Sequence, residues 1–284
     1  MKEYRYLDTD KQVTAFLQSL RERQVTTVAV DIEGEFNLHH YGEHLCLVQI
    51  FDRKESVLID PQTVRISLIK QFFEDPKTLK IMYDCTGDRT ILFRKYGISI
   101  NGVLDLMPAV ELLDFQKKNL GAVLQEVLKV EPKSKKKFQR YNWMKRPVEE
   151  DALAYAMEDV KYLFDLKEEL IGRIIGNKQL DNYLLRNMEV QTRPVALDAL
   201  PGIFKKDRFR KLSSEGKALF RKLFDERDGF AEKLDLPPNS VVSNEELFRL
   251  SESQMTAGNI TFTRRIGRDT ADSIRREFSR IITG

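Results

Sequence analysis

The sequence predicts an α/β protein whose mixed sheet is flanked by helices and followed by a small all-α part. Three consecutive apolar runs have the composition of strands and are joined by short polar connections: "VTTVAVDIE", "LCLVQIFD" and "ESVLIDP". Helix-like and strand-like segments then alternate, which is typical of a sheet with mixed strand directions. Beyond residue 204 the patterns are helical, which predicts the all-α part.

Hydrophobic spacing and capping residues predict the individual elements. Apolar residues at helical intervals behind Thr9 and Asp10 predict an opening helix, and "RKE" at 53–55 predicts a hairpin turn. After the three strand runs we expect a helix, a strand, a helix that ends at Gly97, a strand and a helix, in the segments "VRISLIKQFFED", "TLKIMYD", "DRTILFRKYG", "NGVLDLM" and "NLGAVLQEVL". The stretch "PVEEDALAYAMEDVKYLFDLKEELIGRII", which begins at Pro147, predicts one long helix.

A break in periodicity predicts a domain boundary. The stretch "EVQTRPVALDALPG" contains two prolines and no sustained period, so we expect a linker at 191–204 between a domain at 1–190 and a helical domain at 205–284. The predicted helices of the second domain lie in "SSEGKALFRKLFDERDGFAEKL", "SNEELFRLSE" and "RDTADSIRREFSRII". Ser243, with Glu246 three residues on, is a capping box for the middle one.

Composition and charge narrow the class of protein. The 284 residues are 42% apolar, which is enough for a real core. There is no run of about 18 apolar residues and no charged-then-apolar leader at Met1, so we expect a cytoplasmic protein without a membrane segment. Cys46 and Cys85 are too few for a disulfide scaffold, and we expect them to be small buried residues. A net charge of +3 permits a polyanionic partner.

Two acids and three histidines lie close together after the first strand run, and they indicate different metals. Asp31 and Glu33 end the run and share one face, because strand side chains alternate. Carboxylates in this arrangement repel each other unless a cation, a shared proton or solvent compensates. The histidines would suit zinc, whereas the acids would suit magnesium or manganese. The histidines are His39, His40 and His44.

Two further acidic signals follow the same logic. Asp88 lies near the start of a predicted helix, directly after an apolar strand in "IMYDCTGD". Tyr155 and Asp159 are four residues apart on the predicted long helix and therefore occupy one face of it. Each signal alone is also explained by a helix start or by a solvated helix face.

Taken in order, these motifs resemble the ribonuclease D-like branch of the 3'-5' exonucleases, whose sites are named for four acids and a tyrosine. The resemblance covers "VDIE", "CLVQIFD", "YDCTGD", "GVLDLMPA", "NWMKRP" and "YAMEDVKYLFDL", across most of residues 25–166. The later stretch "KLDLPPNSVVSNEELFRLSE" resembles the helical domain that certain helicases share with ribonuclease D, the HRDC domain. The resemblance implies an RNase H-like sheet followed by an HRDC-like domain.

The resemblance also implies a chemistry and a role for each acid. Two divalent cations, Mg²⁺ or Mn²⁺, would activate water, stabilise charge on the phosphate and assist the departing 3' oxygen. Asp31 would bridge both cations, and Glu33 and Asp159 would complete the water-activating site. Asp88 would support the leaving-group cation, and Tyr155 would orient the attacking water. The implied products are nucleoside 5'-monophosphates.

The histidines fit a zinc site poorly. Gly42 argues against a helix that would align His40 with His44, and no cysteine nearby completes a tetrahedral set. We expect them in the connection between the first two strands, where Tyr41 or a histidine would touch nucleic acid.

A cation-rich stretch precedes the predicted long helix and indicates nucleic-acid binding. In the basic loop, residues 133–146, cations alternate with aromatic rings that could stack on bases, although Trp143 could equally pack onto the protein. The predicted contact residues are Lys133, Lys135, Lys136, Lys137, Arg140, Tyr141, Lys145 and Arg146.

The sequence therefore predicts a metal-dependent 3'-5' exoribonuclease that matures RNA 3' ends, with structured RNA such as tRNA precursors as the partner. A DNA 3'-5' exonuclease with the same site and a non-catalytic nucleic-acid adaptor are the alternatives. The four intact acids disfavour the adaptor, whereas RNA and DNA are distinguished by contacts to the 2'-hydroxyl, which no motif here identifies.

Overall fold

The computed structural model describes residues 4–130, 137–138, 140–197 and 200–284. This described part of the chain divides into two compact units. Unit 1 comprises the chain up to Gly34 together with His44–Ala196, and unit 2 comprises Glu35–Glu43 together with Leu197–Gly284. Within the described residues, no helix has both the length and the apolar character needed to cross a bilayer.

The sheet of unit 1 has mixed strand directions, as the sequence predicts. Within the described residues its strands are β1 (Arg5–Leu7), β2 (Thr27–Phe36), β3 (Glu43–Phe51), β4 (Ser56–Ile59), β5 (Leu79–Met82) and β6 (Val103–Asp105). Their order is β1-β4-β3-β2-β5-β6. β4 pairs antiparallel with β3 but parallel with β1, and β5 pairs parallel with both β2 and β6. The carboxyl ends of β2, β5 and β6 therefore meet at one edge.

Helices cover the sheet on both faces. They are α1 (Asp10–Glu22), α2 (Ile66–Glu74), α3 (Thr86–Tyr96), α4 (Met107–Leu112), α5 (Leu120–Leu128), α6 (Glu150–Lys161), α7 (Leu163–Gly176) and α8 (Leu180–Thr192). One core holds α1–α3 and the other holds α4–α8. Alternation along β2 sends Val28 and Val30 into the first core and Ala29 into the second. Residues 31 and 33 continue the face of Ala29, which α6 covers.

Local sequence signals begin and end several of these helices. The Thr9 side chain and Gln12 form a capping box at the start of α1. Asn119 caps α5 by accepting a hydrogen bond from the backbone N–H of Ala122. Gly97 ends α3 with φ at 61°, a left-handed conformation that glycine adopts without a steric penalty.

The predicted long helix after Pro147 is two helices. The backbone at Tyr162, with φ at −103° and ψ at 2°, separates α6 from α7. The break lets Leu163 and Phe164 enter the second core, where both are almost fully buried. The sequence has neither glycine nor proline at this position, and its apolar residues keep a helical spacing through it. The break was therefore not predicted.

A buried carboxylate joins the end of β6 to the start of α3. Asp105 is 1% exposed and accepts hydrogen bonds from the backbone N–H groups of Asp84, Cys85 and Met107 at 2.8–3.0 Å. Its own backbone is held by α8, because Asn187 accepts from its N–H and Tyr183 donates to its carbonyl oxygen. Asp105 thereby fixes the loop from which α3 begins.

Unit 2 is mainly helical and has its own core. Its helices are α9 (Asp207–Lys211), α10 (Ser214–Leu234), α11 (Pro238–Val241), α12 (Asn244–Ser251) and α13 (Arg268–Thr283). The capping box predicted at Ser243 and Glu246 is present at the start of α12. Phe220, Leu247 and Phe278, all fully buried, lie in the centre of this core.

Replacing Asp105 with alanine should destabilise unit 1. The change leaves three backbone N–H groups without their acceptor, and each buried unsatisfied group costs about 1–3 kcal/mol. We expect a loss of roughly 3 kcal/mol in the free energy of unfolding, measured by urea titration with circular dichroism. Asp105→Asn keeps one acceptor oxygen and should lose less. A change below about 0.5 kcal/mol, the range of ordinary surface substitutions, would contradict this role.

Candidate active site

Two acids of β2 point to the face of the sheet that α6 covers. Asp31 and Glu33 are both partly buried, whereas Ile32 between them is 7% exposed and turns into the first core. Their carboxylate oxygens lie within 4.8 Å of each other and of an Asp159 oxygen. The strand thus brings its two acids to a third one on a helix.

Helix α6 supplies that third acid and a phenol. Asp159 is 9% exposed, and Tyr155, one turn earlier, is partly buried. The two side chains are hydrogen-bonded to each other. Burial raises the pKa of the Tyr155 phenol, and the charges of Asp159 and Glu33 raise it further. The Tyr155 phenol, which is protonated at neutral pH even with an ordinary pKa, is thus held more firmly in the form that donates a hydrogen bond.

Asp88 lies in the first turn of α3, at the edge of the sheet where β2 and β5 end. Burial raises the pKa of its carboxyl to about 8, and the charges of Asp105 and Asp84 contribute. Burial also raises the pKa of Asp31 well above its ordinary value. Among the charges that raise the pKa of Asp31 further, that of Asp88 has the largest effect.

The chemistry of this donor set fits a divalent cation. Hard carboxylate oxygens are the ligands that Mg²⁺ and Mn²⁺ prefer. Burial is the main cause of the raised pKa of Asp31, and the charges of Asp88, Asp159 and Glu33 raise it further, so a cation among these acids would favour their ionised forms. Across the described residues, the group of side chains close enough to share a metal consists of Asp31, Glu33 and Asp159.

The acid next along β2, Glu35, and the histidines His39 and His40 belong to unit 2, whereas His44 lies in β3 of unit 1 and not in the connection where it was expected. Glu35 is 2% exposed and accepts hydrogen bonds from the backbone N–H groups of Leu38 and His39. The Nδ1 atom of His40 lies 2.8 Å from a carboxylate oxygen of Asp235. In the described part of the chain, no histidine belongs to a group that could hold a metal.

Arg146, for which a nucleic-acid contact was predicted, binds Asp60 and the β3 backbone within the protein. Its Nε and Nη2 atoms donate to both carboxylate oxygens of Asp60 at 2.6 and 2.7 Å. Its remaining hydrogen bonds go to backbone carbonyls, among them those of Trp143 and Cys46. The five N–H donors of this guanidinium are thus used within the protein. Asp60 is 2% exposed, so this pair is structural.

The other predicted contact residues of the basic loop divide into two groups. Lys133, Lys135 and Lys136 lie outside the described residues. Lys137, Arg140 and Lys145 are exposed, and Tyr141 is partly buried. An acid is nearby, because Glu149 lies 3.3 Å from the Lys145 ammonium and 4.0 Å from that of Lys137. The charges of Lys137 and Lys145 are therefore partly balanced by a carboxylate at the start of α6.

The structure adds aromatic neighbours of Tyr155 that sequence patterns did not identify. Phe138 stacks on the Tyr155 ring at 5.0 Å between centroids, and Trp143 lies at 6.4 Å in a similar orientation. Trp143 is 5% exposed, so it packs onto the protein, one of the two roles its sequence allowed. The interleaving of rings and cations was visible in the sequence, but the contact with Tyr155 depends on how the loop folds back over α6.

Comparison with protein families decides the class of this site. A 3'-5' exonuclease family model matches residues 4–175, which is more than half of the chain. The chain belongs to the 3'-5' exonuclease family. The matched segment contains all four acids and Tyr155.

Relatives of this exonuclease-family chain include eukaryotic and bacterial proteins. The exosome complex exonuclease RRP6 of Saccharomyces cerevisiae is 24% identical over 263 residues, which cover 86% of this chain and 35% of the relative. Ribonuclease D of Desulfotalea psychrophila is also 24% identical, over 253 residues that cover 86% of this chain and 66% of the relative. The chain thus spans about a third of the length of the yeast protein.

Solved structures share the fold of this exonuclease-family chain. The catalytic core of RRP6 from Trypanosoma brucei superposes with a TM-score of 0.81 at 20% identity, over 98% of this chain and 78% of that one. Escherichia coli RNase D, whose structure is described as that of an exoribonuclease involved in structured RNA processing, gives 0.73 at 20% identity over 100% and 75% of the two chains. Both comparisons confirm the predicted fold class.

The carboxylate cluster predicts an unusual pH dependence of stability in the presence of a chelator. Because the pKa of Asp88 is raised to about 8 from 3.8, the folded state retains a proton that the unfolded state releases. Stability should therefore be highest below about pH 4 for this group and should fall as pH rises toward 8. Asp31→Asn removes a carboxyl whose ionisation is opposed by burial and by the neighbouring acids, and relief of about 1 kcal/mol would raise the unfolding temperature at pH 8 by roughly 2–4 °C.

Calorimetry of unit 1 unfolding at pH 6 and pH 8 measures this effect. Asp8→Asn, at an exposed position, makes the same chemical change away from the cluster and should leave the unfolding temperature almost unchanged. Added Mn²⁺ should stabilise the wild type more than Asp31→Asn. An Asp31→Asn protein that is less stable than the wild type at pH 8 in chelator would show that repulsion does not dominate here.

Proposed function

We propose that this chain is a metal-dependent 3'-5' exoribonuclease of the ribonuclease D type. It removes nucleoside 5'-monophosphates from RNA 3' ends. The observation that carries the proposal is the convergence of Asp31, Glu33 and Asp159 within 4.8 Å, with Tyr155 hydrogen-bonded to Asp159. Membership of the 3'-5' exonuclease family supports it.

Each residue of the site has a proposed role. Asp31, Glu33, Asp88 and Asp159 hold two divalent cations, Mg²⁺ or Mn²⁺, through carboxylate oxygens. When bound, these cations supply Lewis-acid stabilisation of the phosphate charge and a lowered pKa for water. Tyr155, whose hydroxyl proton is donated to Asp159, would accept a hydrogen bond from the attacking water through its oxygen and so orient that water.

The proposed reaction is a hydrolysis. Water adds to the terminal phosphorus and the bond from phosphorus to the 3' oxygen breaks, so that a 5'-monophosphate leaves and the shortened strand ends in a 3'-hydroxyl. A carboxylate oxygen of Asp31 lies within 4.8 Å of one from Glu33 and of one from Asp159, so Asp31 could share a cation with either neighbour. The negative cluster would repel the phosphate without them, so activity should depend on the metal.

The proposed substrate is the single-stranded 3' end of a structured RNA, such as a tRNA precursor. The names of the similar proteins support this choice, since one is an exosome exonuclease and another an exoribonuclease involved in structured RNA processing. We propose that 205–284 acts as an HRDC-like nucleic-acid-binding domain joined through 191–204 to the exonuclease domain. The cations in "FKKDRFRK" and "TRRIGR" would contact the structured portion of the substrate.

We also propose a cytoplasmic location. Cys46 and Cys85 are both buried free thiols. Burial, together with the charge of the neighbouring Asp105, raises the pKa of the Cys85 thiol, so Cys85 is not poised to react. This is consistent with a reducing compartment. Fractionation of cells expressing the tagged chain measures the location.

A hydrolysis assay distinguishes the proposed enzyme from its alternatives. The purified chain is incubated with RNA and DNA of matched sequence, labelled at the 5' end, with Mg²⁺, Mn²⁺ or chelator. The proposal expects stepwise shortening of RNA from the 3' end, release of 5'-monophosphates, and none in chelator. Preference for DNA would support a DNA exonuclease, and binding without cleavage would support an adaptor.

Substitutions at the site separate metal binding from water positioning. Asp159→Asn removes a proposed metal ligand while keeping the side-chain shape, so hydrolysis should fall below detection. Tyr155→Phe keeps the ring and removes the hydroxyl, so turnover should fall by about 10²-fold with little change in RNA affinity. Steady-state kinetics and fluorescence anisotropy measure the two effects. Wild-type turnover in a folded Asp159→Asn protein would remove Asp159 from the ligand set.

The basic loop should act as a sequence-independent track for the 3' strand. Neutralising Lys135, Lys136 and Lys137 together should weaken binding equally for unrelated single strands, because phosphate contacts carry no sequence information. Each lost contact should flatten the log-log salt dependence by roughly 0.7. Anisotropy titrations at several salt concentrations measure the slope.

A matched variant controls for net charge in that experiment. Lys11, Lys54 and Lys77 are exposed and lie outside the loop, so their triple alanine variant changes the charge equally. It should keep a slope close to that of the wild type. Equal slopes for both triple variants would mean that the loop makes no phosphate contact.

A further inference from the structure

We propose that Phe138 is a positioning residue that holds the Tyr155 ring in its catalytic orientation. The inference rests on the proposed function, because it assumes that the Tyr155 hydroxyl acts on the attacking water. The phenyl ring of Phe138 lies 5.0 Å from the Tyr155 ring, centroid to centroid, with 29° between their planes. The Phe138 side chain is a hydrocarbon ring with no group that could take part in the chemistry. Any effect on catalysis must therefore pass through its contact with Tyr155.

The two rings belong to a larger aromatic cluster, which we define as Phe138, Tyr141, Trp143 and Tyr155. Tyr141 contacts Phe138 and Trp143 edge-on, at 6.0 and 4.9 Å. The Tyr141 hydroxyl accepts a hydrogen bond from the backbone N–H of Glu149, immediately before α6. The cluster therefore ties the basic loop to the helix that carries Tyr155 and Asp159.

Tyr155 needs such support because of where it lies. Its side chain is only partly buried, and its hydroxyl must reach the carboxylates while the ring has two torsions free to rotate. Catalytic groups function only when they are held within about 0.5 Å and 10–20° of the productive geometry. The hydrogen bond to Asp159 fixes one end of the side chain, and Phe138 and Trp143 fix the orientation of the ring.

Phe138 is less buried than Trp143, so its contribution to the stability of unit 1 is expected to be smaller. Trp143 is 5% exposed in the second core, so its loss would disturb the body of unit 1. Phe138 is only partly buried. Its ring is also approached by the Lys137 ammonium at 5.2 Å. Since Tyr155, Tyr141 and Lys137 already contact the ring, a nucleic-acid base would have to displace one of them to stack on it.

The test compares Phe138→Leu with the wild type on a short labelled RNA. Leucine keeps apolar volume but loses the aromatic contact, so kcat should fall by roughly 2- to 10-fold, the value of one aromatic pair. KM for RNA should stay unchanged, since a positioning residue affects the transition state alone. Phe138→Tyr restores a ring and should restore kcat.

Phe51→Leu is the matched control. Like Phe138→Leu, it replaces a ring that contacts another ring. The contact that it removes is the edge-on one with Phe164 at 5.9 Å, which lies beside Arg53 and does not involve Tyr155. Its kcat should equal that of the wild type. A kcat as low as in Phe138→Leu would mean that any loss of aromatic packing slows the enzyme, which overturns the proposal.

A double-mutant cycle with Tyr155→Phe separates positioning from base stacking. If Phe138 acts through the Tyr155 hydroxyl, Phe138→Leu should cause no further loss in the Tyr155→Phe protein. A loss that appears in KM and persists without the hydroxyl would make Phe138 a platform for bases instead, and an unchanged kcat in Phe138→Leu would exclude any role.

Trp143 monitors the fold of these variants, because it is the single tryptophan of the sequence. Its emission maximum should match that of the wild type in Phe138→Leu. If the maximum shifts, Phe138→Met replaces the leucine variant under the same criteria. A wild-type protein without nuclease activity would contradict the proposed function and the inference with it, whereas an active wild type with additive effects would contradict the inference alone.

Discussion

Repulsion among carboxylates is the constraint on which the rest of unit 1 depends. Carboxylate oxygens of Asp31, Glu33 and Asp159 lie within 4.8 Å of one another. Burial raises the pKa of Asp31, and the charges of Asp88, Asp159 and Glu33 raise it further. The free energy of unfolding of a folded protein is only roughly 5–15 kcal/mol, and burying such a cluster lowers it. The apolar cores on both faces of the sheet must offset it. A strand at the centre of the sheet and a helix packed against it are elements rigid enough to do so.

Two polar groups outside the cluster hold the segments that carry or adjoin its members. Asp105 is satisfied by three backbone N–H groups and fixes the loop before α3, which carries Asp88. Arg146 binds Asp60 through two hydrogen bonds and anchors the basic loop beside α6. Neither side chain belongs to the cluster, yet each holds a segment from which a member or neighbour of the cluster projects.

Sequence patterns predicted the features that depend on local spacing. The alternation in β2 placed Asp31 and Glu33 on one face, and the helical spacing placed Tyr155 beside Asp159. The patterns failed where tertiary contacts decide. Arg146 has the same local signature as the exposed cations around it, and only the position of Asp60 makes it structural. Helix α8 was not predicted because exposed apolar side chains, such as Leu185 and Met188 at 57% and 60%, obscure its amphipathic period.

Helix α8 has a consequence for how the exonuclease part can be isolated. The family match ends at residue 175, five residues before this helix begins. A fragment cut there would lose Tyr183 and Asn187, which hold the backbone of Asp105, and also the carbonyl groups of Val190 and Gln191 that accept from Arg89 of α3. A fragment that keeps these contacts must include the whole of α8, and unit 1 itself ends at Ala196. A fragment designed on the family boundary alone would omit α8, whose side chains position Asp105 and, through Asp105, the loop before α3.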